Sequence, residues 1–222
     1  MAKLALGVMV GSLLAPVAAV ADEWRDLFDG KSFAGWEFDI KDHAPPELTY
    51  SIVDGMLNIA GKDRAVAVVR TKRDDFREYE LKFEWRWPDE PGNSGCLIHA
   101  SFPRYKNVWP KSLEIQMQSG NAGDFIHIGE TIDVPLSQFP TDLSGRNSWK
   151  VRLRNNLTDD SENQPGEWNR AHIKVKGGAV TVHINGVLVN HGTGLSTASG
   201  AICFQAEGAN VQYRNIKILE TE

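Results

Sequence analysis

Between residues 79 and 87 the chain reads Tyr-Glu-Leu-Lys-Phe-Glu-Trp-Arg-Trp, with apolar and charged side chains in strict alternation. A period of two puts Leu81, Phe83, Trp85 and Trp87 on one face of an extended strand and Lys82, Glu84 and Arg86 on the other. The run 112–118 repeats the division: Leu113, Ile115 and Met117 face a core, whereas Glu114, Gln116 and Gln118 face away. Helical periodicity is nearly absent, and β-rich runs bounded by Gly, Asn, Asp or Pro recur along the chain. Strands are expected at 50–53, 56–59, 66–70, 79–87, 96–100, 112–118, 125–128, 149–154, 172–176, 179–184, 187–190, 201–205 and 211–219. Asp54-Gly55, Gly177-Gly178 and Asn185-Gly186 supply the positive φ that tight hairpins need, so the C-terminal strands form a meander. So many strands without helices must bury their apolar faces against a second sheet, which predicts an all-β sandwich. Stretches 133–147 and 155–165 are expected as surface loops.

Residues 1–21 hold one Lys, an apolar and small-residue run, and Ala19-Val20-Ala21 ahead of Asp22-Glu23. This is the pattern of a signal peptide cleaved after Ala21, and it predicts an exported protein, periplasmic or extracellular. The run is short for a membrane span, so no membrane association is expected after cleavage. Loss of Lys3 leaves 24 − 1 = 23 basic residues against 29 acidic ones, a net charge of −6 that argues against nucleic acid as a partner. Residues 22–222 fit one large β-sandwich domain. By strand parity, Cys96 and Cys203 point to opposite sides of the sheet, which disfavours a disulfide between them.

Two further strands carry polar residues. In 96–100 alternation separates His99 from Ile98, and in 201–207 it sets Cys203, Gln205 and Glu207 opposite Ile202 and Phe204. If these strands neighbour 79–87 and 112–118 in one sheet, their outward faces assemble Glu84, Arg86, His99, Glu114, Gln116, Gln205 and Glu207. Carboxylates, carboxamides and guanidinium groups hydrogen-bond sugar hydroxyls, and a flanking Trp stacks on a pyranose ring. The patch therefore predicts a saccharide ligand, although any antiparallel sandwich also presents a wet face by alternation alone. His127, His172, His183 and His191 have no metal-like spacing and are read as structural.

The segment Leu27-Phe28-Asp29-Gly30-Lys31-Ser32-Phe33-Ala34-Gly35-Trp36 resembles the opening of the 3-keto-disaccharide hydrolase family. Asn93-Ser94-Gly95, Glu114-Ile115-Gln116-Met117-Gln118-Ser119-Gly120, Gly123-Asp124-Phe125, Gly166-Glu167-Trp168-Asn169, His183-Ile184-Asn185-Gly186, Gly200-Ala201-Ile202 and Tyr213-Arg214-Asn215-Ile216 resemble its later motifs, in order. The resemblance implies a concanavalin A-like jelly roll and an exported bacterial protein acting on glycosides oxidised at C3, as 3-keto-glucoside 1,2-lyase and 3-keto-2-hydroxyglucal hydratase. One position departs from the pattern: Glu207 precedes Gly208 where many members carry His.

A C3 keto group acidifies the C2 hydrogen. Proton removal expels the C1 substituent by β-elimination, and water then adds to the 2-hydroxyglucal. Under this reading Glu114 or His99 is the base or acid, and Arg86 or a bound divalent cation stabilises the enolate. Glu84, Gln116, Gln205 and Glu207 bind substrate hydroxyls, and an oxidoreductase makes the 3-keto substrate upstream. A laminarinase-type glucanase is disfavoured, because its E-I-D-x-E strand reads Glu114-Ile115-Gln116-Met117-Gln118 here and lacks the carboxylate pair. A carbohydrate-binding module without catalysis remains the alternative.

Overall fold

The computed structural model describes residues 23–64, 66–143, 149–159 and 161–221. The expected signal peptide lies outside the described residues, as do 144–148 and 160, of which 144–147 and 160 belong to the expected loops. Two antiparallel sheets pack face to face. The first runs, in spatial order, β13 (Val187–Gly192), β12 (Ala179–Ile184), β11 (Asn169–Lys176), β6 (Tyr79–Arg86), β15 (Asn210–Glu220), β4 (Met56–Ala60) and β3 (Tyr50–Val53). The two-residue β1 (Arg25–Asp26) joins it by pairing with β15. The second runs β10 (Leu153–Arg154), β9 (Phe125–Ile128), β8 (Trp109–Gln116), β7 (Gly95–Lys106), β14 (Ala201–Ala206), β5 (Ala67–Thr71) and β2 (Trp36–Ile40). This is the all-β sandwich that the alternation predicts, on the jelly-roll plan that the family resemblance implies.

Between the sheets, Phe204 of the second meets Phe83 and Tyr213 of the first, the Phe204 and Tyr213 ring centroids 4.7 Å apart, and Trp36 packs on Phe204 within the second sheet. Each such aromatic pair contributes about 1 kcal/mol beyond its area burial. The opening motif is a clasp for this core. Asp29 Oδ1 accepts hydrogen bonds from the backbone N–H groups of Lys31 and Ser32, both at 2.8 Å, and Trp36 Nε1 donates to Leu27 O. Gly30 sits so close to the Asp54-Gly55 turn that a Cβ there would fall 2.7 Å from Gly55 O.

Several expectations change. Trp149–Arg152 forms a 3-10 turn rather than a strand, since only Leu153 and Arg154 find a neighbour, on β9. Strands β1 and β2 lie within the opening region, where no strand was expected. β7 runs on to Lys106 as a bulged hairpin with β8, and β8 ends at Gln116. Cys96 belongs to the core between the sheets while Cys203 faces the other way; both thiols are free and buried.

The four polar strands do not share a sheet. β6 belongs to the first sheet, whereas β7, β8 and β14 are neighbours in the second. Both sheets have an outward face, and period-two alternation carries no information about which sheet a strand joins.

Candidate active site

On the second sheet one cross-strand row, Phe204–Cys96–Ile115–Phe125, points into the sandwich, and the next, Cys203–Leu97–Glu114–Ile126, points outward. The outward row is nevertheless buried. Phe102 and Trp109 pack on Val68, Leu97, Ile126 and Ile128 as a second apolar cluster outside the sheet. Glu114 is the one carboxylate of its row and is only 4% exposed.

Two residues further along β8 and β14 stand Gln116 and Gln205. Gln116 pairs with Gly95 of β7, and continuing the β7–β14 register brings Gln205 to the other side of the same glycine. A Cβ on Gly95 would lie 2.5 Å from Glu114 Oε1 and 2.6 Å from Gln205 Oε1. The missing side chain therefore opens the floor of a cavity of about 310 Å³. Asn93, Gln118 and Glu207 line it, Trp109 and Trp149 flank it, and Arg152 reaches in from the 3-10 turn.

The polar groups of this floor are set by the backbone beneath them. Gln116 Oε1 accepts from the N–H groups of Met117 (3.1 Å) and Gln118 (3.2 Å), which leaves its amide nitrogen to donate into the cavity. Ser94 Oγ donates to Gln205 O and meets Tyr213 Oη, each at 2.8 Å, so a hydroxyl pair spans the core and pins the strand that carries Gln205. Glu114 Oε1 and Gln205 Oε1 are buried without a hydrogen-bond partner among the described residues. Buried orphan oxygens are costly, and a site that binds polyhydroxylated ligands is where they persist.

Burial pushes the Glu114 carboxyl up to about 8, and the charge of Glu207 pushes the same way, against the Gln205 hydrogen bond and the Arg152 guanidinium. Glu207 is also raised by burial and opposed by Arg152. Near neutral pH the pair therefore retains a proton, held on Glu114, while Glu207 ionises first beside Arg152. One acid, one base and one fixed cation share a partly dry cavity between two indole rings.

Of the residues expected to bind or react, Glu114, Gln116, Gln205 and Glu207 come together here. Glu84, Arg86 and His99 do not. Glu84 sits on the outer face of the first sheet, accepting from Arg214 Nε at 2.6 Å with Arg170 Nε at 3.5 Å. Arg86 donates to Gln212 Oε1 at 2.7 Å and lies over the Trp168 ring. His99 misses the site because a bulge interrupts β7 after Ile98 and the residue takes φ +49°. Its ring turns toward Tyr79 of the first sheet, its two nitrogens facing Thr197 O and Arg77 O at 2.8 and 3.1 Å. Burial lowers its pKa.

Trp109, Trp149, Arg152 and Asn93 escaped the sequence reading. The one available signal was Asn93 in the Asn-Ser-Gly motif; the other three reach the cavity from a bulged hairpin and a 3-10 turn that alternation cannot place. The donor set does not suit a divalent cation: the Arg152 guanidinium acts on both carboxylates, and among the described residues no group of three or more His, Cys, Asp or Glu is arranged to hold a metal.

The fold and cavity define a lectin-like jelly roll with a walled, acid-bearing site on one sheet. The chain belongs to the family of 3-keto-α-glucoside-1,2-lyase-like domains, whose sequence model matches residues 23–219. Among solved structures it resembles a proposed glycosyl hydrolase from Parabacteroides distasonis, with TM-score 0.63, 22% identity, and coverage of 91% of this chain and 95% of that one. The carbohydrate-binding module CBM66 of Bacillus subtilis shares the fold at TM-score 0.54 and 7% identity, over 84% of this chain and 96% of that one. A Bacillus subtilis protein with a galectin-like fold does so at TM-score 0.56 and 13% identity, over 89% and 94%. Among curated proteins none matches this sequence as a relative.

Proposed function

We propose that the protein is exported and cleaves 3-keto-glycosides by β-elimination followed by hydration, a net hydrolysis of the glycosidic bond. The observation that carries this reading is the unequal carboxyl pair, Glu114 held to about 8 beside the more readily ionised Glu207, in a chain of this family. Two groups differing in proton affinity can divide acid and base roles.

In the proposed reaction Glu207 removes the C2 proton, and the electron pair moves toward the C3 oxygen, where Arg152 stabilises the enolate. The pair returns to form the C1–C2 double bond as the C1–O bond breaks, and Glu114 protonates the departing oxygen. Glu114, now ionised, deprotonates a water that attacks C1, while Glu207 returns its proton to C2. The products are a free alcohol and a 3-keto sugar, and both carboxyl groups regain their starting states. Gln116 and Gln205 orient hydroxyls, and Trp109 and Trp149 supply stacking surfaces.

Incubating the mature protein with a 3-keto-disaccharide and following release of both sugars, with the 2-hydroxyglucal as a transient, tests this. Absence of cleavage with or without added divalent cation overturns it. The second reading, a carbohydrate-binding module without chemistry, is favoured by the likeness to CBM66. It predicts that Glu114→Gln binds saccharide as well as the parent and that neither protein cleaves it.

A further inference from the structure

The register of the second sheet orders the Glu114 cavity along its strands. Glu114 of β8 stands level with Ile126 of β9, and Ser112, two residues before it, stands level with Ile128. On the other side of Glu114 come Gln116, Gly95 and Gln205, and beyond them, by continuing the same registers, Gln118, Asn93 and Glu207. Each step is about 6.8 Å, two residues of strand rise. The cavity thus has two unlike ends with Glu114 between them. Polar groups crowd the glutamine end, where Asn93 Oδ1 and Gln205 Oε1 are buried with no hydrogen-bond partner among the described residues. At the isoleucine end the strand hydroxyl, Ser112 Oγ, is buried and donates to Pro110 O at 3.1 Å. What that end presents is Ile126, Ile128 and two indoles. Trp109 packs on the apolar cluster that contains both isoleucines. Trp149 begins the 3-10 turn that leads into Leu153, the partner of Ile126, so it stands on the same side, half-exposed. The Arg152 guanidinium of that turn acts on Glu114 and Glu207.

We propose that the isoleucine end holds the leaving group of the substrate, and that this group is an apolar aglycone, an alicyclic or aromatic alcohol, rather than a second sugar. The assignment rests on the cleavage reading for which end is which. Glu114 protonates the departing oxygen, so the keto sugar lies on the side of Glu207 and the aglycone on the side of Ile126 and Ile128. A sugar at that end would turn hydroxyls toward two isoleucines, and buried hydroxyls without partners outweigh what stacking on an indole contributes. An apolar ring there leaves water for contact with branched aliphatic and aromatic groups. The chemistry is unchanged: the C1–O bond breaks and the aglycone departs as the alcohol, with the proton from Glu114.

Titration of the mature protein's tryptophan fluorescence with cyclohexyl α-glucoside, methyl α-glucoside and maltose tests the assignment without any reaction, since none of the three carries the keto group. Cyclohexyl α-glucoside should bind about tenfold more tightly than the other two, the effect of burying one small apolar ring. Ile128→Asn should remove that preference, and the milder Ile128→Ala should reduce it about threefold. Unchanged far-UV circular dichroism ties the loss to the contact rather than to unfolding. Binding of maltose as tight as that of the cyclohexyl glucoside, binding of none of the three, or a full preference in both variants each overturns it. The 3-keto-disaccharide assay reads cleavage instead, so the two readings fail separately. A cyclohexyl preference without cleavage removes the lyase reading and keeps the apolar subsite, whereas cleavage without the preference does the reverse.

Discussion

Glu84 and Glu114 occupy equivalent places, each an outward-facing carboxylate on an inner strand of its sheet, yet their surroundings are opposite. Glu84 is flanked on the neighbouring strands by Arg170 and Arg214, both within salt-bridge distance. Glu114 is flanked by Leu97 and Ile126, with one oxygen unpartnered among the described residues. The first arrangement is an ordinary solvated ion-pair network, worth about 1 kcal/mol or less for each pair. The second keeps a carboxyl neutral near pH 7 and ready to donate a proton. The reactivity of an outward-facing acid is thus decided by what lies over it and beside it.

The comparison breaks most directly by exchanging each carboxylate for its amide. Glu114→Gln should lower turnover of a 3-keto-disaccharide by about a thousandfold, the scale of a lost general acid, while Glu84→Gln leaves kcat within about twofold. Equal losses would remove the distinction between the two faces. Under the proposed reaction, cleavage by the parent protein should also fall as pH rises through about 8, where Glu114 gives up its proton, and a flat profile there would contradict its role as acid.

Next in size, Gly95→Ala places a methyl group against both orphan oxygens and should cost about a hundredfold in kcat/KM, as misplacement of reacting groups does. The corresponding loss of melting temperature should be modest, because Glu114 and Gln205 can swing into the cavity.

Stability gives a third contrast. Because the folded-state pKa of Glu114 lies above the ordinary 4.5, folding favours its neutral form. The stability it allows is full below about 4.5 and is lost as pH rises toward about 8. Urea denaturation at pH 5 and pH 8.5 should show this decline in the parent and a shallower one in Glu114→Gln.

Fourth, Ser94→Ala strands the buried Tyr213 hydroxyl and should cost about 1–3 kcal/mol by the same measurement. The smallest effect belongs to the outer face of the first sheet, where Lys82, its ammonium over the Trp24 ring, stands opposite Lys217: Lys82→Glu replaces a like-charge neighbour with an opposite one and should stabilise by a few tenths of a kcal/mol. Thermal denaturation reads it, and a destabilisation would show that the Trp24 contact outweighs the repulsion.

Much of the fold was legible because alternation reports directly on burial where one face is wet. Strand β6 shows this, with Leu81, Phe83 and Trp85 buried and Lys82, Glu84 and Arg86 less so. In the second sheet that relation fails: every residue of β14 and β9 is buried, on both faces. The near-continuous apolar run Ala201-Ile202-Cys203-Phe204 carried a trace of this, since strands covered on both sides lose their polar alternation. Trp149 and Arg152 left no such trace, because they reach the cavity from a turn. His99 shows the complementary failure, a single bulge sufficing to send its ring to the opposite sheet.

By itself the sequence determined the β class, the inward and outward side chains of the regular strands, the opposed cysteines and the family, all of which depend on local periodicity or on ordered motifs. Only the tertiary structure decided that β6 lies in one sheet while β7, β8 and β14 lie in the other. It also decided that Glu114 is roofed by indole and aliphatic groups while Glu84 is met by arginines. The physical reason is that side-chain parity is set within a strand by the pleat. Proton affinity, in contrast, is set by neighbours far away in the chain that remove water or supply charge.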